Sequence, residues 1–157
     1  MRLNTYQDKL SRSGFRFVEK LLYDMKKHDT AMIALEVELE TVLEQIADMY
    51  TLKASTIDDM PHGTGTSSPT ENMAIKRADN LQVKFLKDRI EEMKRHKAAI
   101  LKAMDYMTDT EKLLIKLKYD HEKTSRACWE SMHIEKSRWY EIWQITVYKV
   151  AEYLGIT

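Results

Sequence analysis

Glycine and proline are almost missing from this chain, four and two in 157 residues. Sheet proteins need both at their turns, so this scarcity, with ten methionines and 43% apolar residues, argues for an all-α fold. The one cysteine, Cys128, excludes an internal disulfide and fits a reducing cytoplasm. It stands beside Ala127, where a short helix wants a small buried residue. No apolar run approaches the ~20 residues of a bilayer span, and the N-terminal stretch lacks the apolar core of a signal peptide. The expectation is therefore a soluble protein of the cytoplasm that does not engage a membrane. Net charge is missing too: 25 Lys and Arg balance 25 Asp and Glu, which removes bulk steering toward nucleic acid.

Enzyme motifs are equally scarce. There is no glycine-rich phosphate loop, no HExxH, no GxSxG and no CxxC. The histidines at 28, 62, 96, 121 and 133 are scattered, and His121, Cys128 and His133 match no zinc framework. Asp58 and Asp59 read as a solvated acidic pair. Neither catalysis nor a metal or other cofactor is expected.

What is present is helical periodicity with uneven charge. Residues 1–30 carry a balance of +3, 31–60 of −6, 61–108 of +3 and 109–157 of zero. Phe15, Val18, Leu21, Leu22 and Met25 mark a helix over 14–27. Leu35, Leu39, Val42, Ile46 and Met49 form a seam at coiled-coil period in 31–50. The polar stretch 51–70 holds both prolines and two glycines and reads as a linker. A long helix then runs from 71 to 107, opened near Pro69 and Thr70, and would measure roughly 55 Å. Its seam, Leu86, Ile90, Met93, Lys97, Ile100 and Met104, alternates steps of four and three. A rod of that length needs the 31–50 helix, a second protomer, or both, so these residues are assigned to oligomerisation, with a homodimer or other homo-oligomer expected. Lys97 either sets register as a polar insertion or packs its stem and reaches water.

Residues 108–157 read as a helix-turn-helix. Thr108 and Glu111 form a capping box ahead of Leu113, Leu114 and Leu117. Thr124 caps a short helix from Ser125 to about Met132, and a break at His133–Lys136 precedes a long third helix. All three tryptophans, Trp129, Trp139 and Trp143, fall here, enough for a compact core. Two short helices and a tight turn before a longer one is the geometry that lays a helix in the DNA major groove. With Trp139, Ile142 or Trp143, Thr146, Val150 and Leu154 facing inward, the outer stripe presents Lys136, Ser137, Arg138, Tyr140, Glu141 and Gln144. Arginine grips guanine bidentately, glutamine adenine, and a carboxylate accepts from cytosine. Lys123, Arg126, Lys136 and Lys149 are candidates for phosphate contacts, which position without reading sequence. The cluster Lys94-Arg95-His96-Lys97 is either an auxiliary DNA contact or a solvated helix face. A neutral module of this size binds weakly alone, so an oligomer or a polymerase partner would have to add contacts.

The run LLIKLKYD, the short helix, HIEKSRWYEIW and the closing VAEYLG resemble region-4 sigma-type helix-turn-helix segments. The whole order is similar to the RinA/ArpU group of phage transcriptional regulators, in which a helical pair and a polar loop precede a long helix. Thr70-Glu71-Asn72-Met73-Ala74 stands where that helix opens, and Lys149–Gly155 resembles the closing helix. The chain departs from the pattern twice: Ile134 is followed by Glu135 with Ser137 two places later, and Asp120-His121-Glu122-Lys123 stands where a glycine is usual. The resemblance implies a phage or prophage regulator of a Gram-positive host that binds a promoter and activates late genes with host RNA polymerase. Two other readings stay open. One is a DNA-packaging recognition subunit of the small-terminase type, which forms rings. The other is a helical protein–protein interaction protein whose acidic 31–60 segment meets a partner.

The sequence partition is thus an N-terminal helical segment (1–50), a linker (51–70), a long coiled-coil-type helix (71–107) and a C-terminal helix-turn-helix bundle (108–157).

Overall fold

In a computed structural model, residues 10–55 and 69–156 are described, with side chains over 10–52 and 75–156. The described residues form six α-helices and no strands: α1 (Arg12–Asp24), α2 (His28–Ser55), α3 (Pro69–Asp105), α4 (Asp109–Ile115), α5 (Ser125–Ser131) and α6 (Lys136–Leu154). The fold is all-α. Ser11 starts α1 by accepting the amide of Gly14 at 3.1 Å, and a short 3-10 turn, Met25–Lys27, leads directly into α2. Pro69 is the first residue of α3, a place where a missing amide hydrogen costs nothing. The linker read over 51–70 is helical at both ends; its residues 56–68 lie outside the described residues.

The chain divides into two compact units, Met1–Asp29 with Met93–Thr157, and Thr30–Glu92. These cuts differ from the sequence partition, which gave the N-terminal helix no role beside the C-terminal bundle. In the first unit, Val18 and Leu22 of α1 share a core with Ile100 and Ala103 of α3, Ile115 and Tyr119, and Val147, Val150 and Ala151 of α6. Phe15 adds an edge-on contact to Trp143 at 5.1 Å. A Cβ on Gly14 would lie 2.9 Å from Leu10 Cδ1 and 3.2 Å from Ile156 Cγ2, so those side chains would have to shift to admit one. A helix marked only by its own periodicity does not reveal which distant element it covers. Here that element is more than 100 residues away.

Tyr119 anchors this core. It is fully buried, accepts the Trp143 indole hydrogen at 3.0 Å and donates to Glu19 at 3.2 Å. Burial, then the charge of Glu19, pushes its pKa well above the usual tyrosine value. Burial pushes the Cys128 thiol and the Tyr23 phenol in the same direction. A raised folded pKa means the fold favours the protonated phenol. Its stabilising contribution is complete below about pH 10 and is lost as pH climbs further. Urea melts at pH 9 and pH 11 are expected to show a marked loss for the wild type. Tyr119→Phe is expected to start less stable, with Trp143 left without its acceptor, and to lose less over that interval.

In the second unit, α2 and α3 bring their seams together. Val42, Leu86 and Ile90 are buried, and Leu35, Leu39, Ile46 and Val83 are half-buried. The Lys76 ammonium lies 5.5 Å over the ring of Tyr50, so the later part of α2 runs beside the opening of α3. The pair is antiparallel.

This arrangement corrects the oligomerisation assignment. Leu86, Ile90 and Ile100 are buried within one chain, and Met93 and Met104 are half-covered. The stripe is consumed internally because the chain supplies its own partner helices. At the seam position Lys97, the ammonium bonds the Asp29 carboxylate, which draws the Asp29 pKa below its ordinary value. Beside it, His28 is buried and donates from Nε2 to the carbonyl of Met93 at 2.8 Å. The Lys97 side chain is 32% exposed and that of Asp29 72%, so this pair stands at the surface.

Candidate nucleic-acid interface

Three helices and two breaks build the C-terminal surface. The Thr108 hydroxyl accepts the Glu111 amide at 3.3 Å while the Glu111 carboxylate accepts the Thr108 amide at 3.0 Å, so the capping box read from sequence is formed. After Ile115 the helix widens into a π turn, Lys116–Asp120, in which the His121 amide bonds the carbonyl of Lys116 at 3.0 Å. Thr124 caps α5 by accepting the Ala127 amide at 3.3 Å. Both breaks contain a residue in the left-handed region, Glu122 at φ 51° and His133 at φ 53°. A side chain in that conformation costs about 1–2 kcal/mol, so the surrounding packing holds it there.

Leu114, Leu117, Cys128 and Trp139 form the core of this module, with Trp129, Met132, Ile134 and Tyr140 packed around it. Trp139 is completely buried at the first inward position of α6. It stacks on Trp143 at 5.7 Å and meets Trp129 and Tyr140 edge-on or nearly so at 6.1 and 5.0 Å. Thr146 and Val150 follow as buried residues on the same face, as the inward stripe requires. Lys118, buried in the π turn, holds its ammonium 5.2 Å from the ring of Trp143 and 5.4 Å from that of Trp139. Cation–π contacts of this kind contribute about 0.5–2 kcal/mol. Sequence reading missed Lys118 because LIKLKYD gives no sign which lysine turns inward; the π turn decides it.

The inward anchor leaves Lys136, Ser137 and Arg138 exposed on the opening turn of α6. Tyr140, Glu141 and Gln144 are half-buried, and Tyr140 is committed to the aromatic cluster. The cations proposed from sequence are mostly engaged within the chain. Arg138 bonds Glu141 at 2.9 Å and Arg126 bonds Glu130 at 2.8 Å, both one helical turn apart. Lys123 reaches Ser131 at 3.4 Å, and Lys136 lies 5.9 Å over the ring of Trp129. Exposed pairs of this type contribute about 0–1 kcal/mol, so Arg126 and Arg138 can exchange their carboxylates for a phosphate or a base edge at little cost. The cluster at 94–97 is split between roles, since Lys97 binds Asp29 and His96 meets the Phe17 ring edge-on at 6.0 Å.

Lys149 requires a correction. The sequence pattern makes it a phosphate contact, yet its ammonium lies 2.7 and 2.8 Å from the two carboxylate oxygens of Glu111. Glu111 is buried, and its carboxylate also completes the cap of α4. The lysine is a tie between α4 and α6, placed by a contact between residues 38 apart that no local pattern shows. Lys149→Met leaves a buried carboxylate without its cation. We expect a loss of about 1–3 kcal/mol by chemical denaturation, which Glu111→Gln in the same protein partly restores.

Among the described residues, no group of three or more His, Cys, Asp or Glu side chains is placed to hold a metal ion. No described helix is long and apolar enough to cross a membrane. No protein-family model, curated protein or solved structure matches this chain.

Proposed function

We propose that this chain is a sequence-specific DNA-binding transcriptional regulator whose reading element is the first half of α6. The observation that carries this is the exposure of Lys136, Ser137 and Arg138 on the opening turn of a helix pinned from behind by Trp139, directly after the short helix α5. That is the disposition in which N-terminal residues of a second helix meet base edges. Arg138 reads a base, Glu141 and Gln144 stand about one and two turns along the helix, and Lys123, Arg126 and Lys136 meet phosphates. The resemblance to the RinA/ArpU group extends the proposal to activation of late phage or prophage genes with host RNA polymerase.

The test is selection of fragments of the encoding genome on purified protein across a salt series. Enrichment of one upstream region, with affinity falling as salt rises, supports the regulator. Equal retention of every fragment, or none, overturns it.

One observation favours a second reading, a protein–protein interaction module. Arg126 and Arg138 are both neutralised by glutamates of their own helices, so the surface carries little net charge toward DNA. Pull-down of a protein partner that survives Arg138→Ala, with no DNA selected, would establish that reading instead.

A further inference from the structure

The neutral total of this chain conceals a division. Met1–Asp29 with Met93–Thr157, the unit that contains α6, carries 19 Lys and Arg against 13 Asp and Glu, a balance of +6. Thr30–Glu92 carries 6 against 12, a balance of −6. Half of the basic excess comes from residues 1–29, whose helix α1 shares a core with α6. A polyanion is the partner that a unit of this charge attracts.

On α1 the excess is ordered. Arg12, Arg16 and Lys20 step by four, span about 80° of the helix and are all exposed. Among the described residues, none of the three has an anionic partner. Glu19, the one acid among them, accepts the Tyr119 hydroxyl at 3.2 Å, and the exposed Asp24 ends the row. The row does not serve the helix. Arg12 opens α1, where the helix dipole favours acids and none stands in the first turn. Arg12 with Arg16, and Arg16 with Lys20, are like charges four apart, which repel. Cations that cost their own helix stability and have no partner within the fold suit an external anion.

One edge of α1 leads to the surface proposed for DNA. Tyr23 meets Tyr119 edge-on at 4.7 Å, and the Lys26 ammonium lies 3.8 Å from Glu122, the neighbour of Lys123 in the break before α5. Asp120, which lines the same cavity as Lys26, is the other acid there. Along its other edge α1 meets α3, where Phe17 packs edge-on to His96, the residue after Lys94 and Arg95, at 6.0 Å.

We propose that the basic row of α1 is a second duplex contact, in which Arg12, Arg16 and Lys20 grip the phosphate backbone of the DNA that α6 reads. The proposal rests on the regulator reading and deepens it. The row supplies affinity that is indifferent to sequence, because phosphates are alike at every step. The surface of α5 and α6, whose arginines are tied to glutamates, supplies the discrimination.

The experiment is fluorescence anisotropy across a salt series, using the full chain, an enriched fragment of the encoding genome and a scrambled duplex of the same length. It compares wild type, Arg12→Gln/Arg16→Gln/Lys20→Gln, and Arg77→Gln/Lys84→Gln/Lys87→Gln, which removes three exposed cations from α3 in the acidic unit. Glutamine suits a helix, and removing like charges should leave the melting temperature unchanged or slightly higher. The α1 variant is expected to bind both duplexes at least about tenfold more weakly at low salt, with the preference between them kept. The slope of log affinity against log salt should fall by about two to three, close to one for each lost contact. The α3 variant should keep the wild-type affinity and slope.

An α1 variant that matches wild type, while wild type still prefers its fragment, overturns the α1 contact and leaves the regulator standing. An equal loss in the α3 variant also overturns it, since net charge alone would then account for the effect. Should wild type hold every duplex alike and lose them with the α1 changes, the contact stands and the sequence reading falls. Sedimentation with phosphatidylserine vesicles that depends on the α1 row, with duplex affinity unchanged, assigns the face to a lipid surface instead. Wild type that binds neither duplex overturns both.

Discussion

Trp139→Ala is expected to remove about 3–5 kcal/mol of stability, the range found when a large aromatic side chain is deleted from a packed core. Few substitutions in the described residues should cost as much. Trp139 is completely buried, stacks on Trp143 and supports Lys118 through its ring. Its removal opens a cavity among Leu114, Leu117 and Cys128, which come from separate helices and cannot close over it together. Against a typical domain stability of about 5–15 kcal/mol this is a large fraction, and the melting temperature should fall by about 10 °C or more. Differential scanning calorimetry measures it. A drop of only a few degrees would mean that the aromatic cluster collapses onto the space, and that α6 is held chiefly by its contacts to α1.

Arg138→Ala is expected to act on binding and leave the fold alone. The side chain is 64% exposed, and its one intramolecular tie is the surface pair with Glu141. Losing that pair costs at most about 1 kcal/mol of stability. If Arg138 reads a base edge, the selected fragment should be bound about 1–3 kcal/mol more weakly, roughly a five- to 150-fold loss, with discrimination relaxed at one position. Lys136→Ala should instead weaken all fragments together and lower the salt dependence by about one counterion. Fluorescence anisotropy on the selected fragment and a scrambled one separates the two patterns. Unchanged affinity in both variants would remove the reading-helix assignment.

Glu141 carries a related consequence. Because it holds Arg138 in the free protein, it either steadies the arginine for a base or competes with DNA for it. Glu141→Gln distinguishes these outcomes: weaker selection in the first case, tighter and less selective binding in the second.

The helices themselves were legible from local patterns. Scarce glycine and proline, the Thr108–Glu111 box, the Thr124 cap and the spacing of Trp139, Thr146 and Val150 each specify a turn or a face within a few residues. Such interactions are short in sequence, so the sequence contains both partners side by side. Three things could not be seen this way. The stripe of Leu86, Ile90 and Ile100 announces that it needs burial but does not name its cover; the chain covers it internally. Lys149 looks like any exposed cation until Glu111 is placed beside it. The N-terminal helix gives no hint that it completes the core of the C-terminal bundle.

By itself, then, the sequence determined that the chain is helical, where two of its helices are capped and which face of α6 is apolar. These follow from backbone propensity and side-chain period, which act over four residues. Only the tertiary structure decided which apolar face meets which, because that choice turns on shape and charge brought together across 38 residues at Glu111–Lys149 and 100 at Glu19–Tyr119. It also decided which lysines are spent inside the fold and which cations stand on the opening turn of α6.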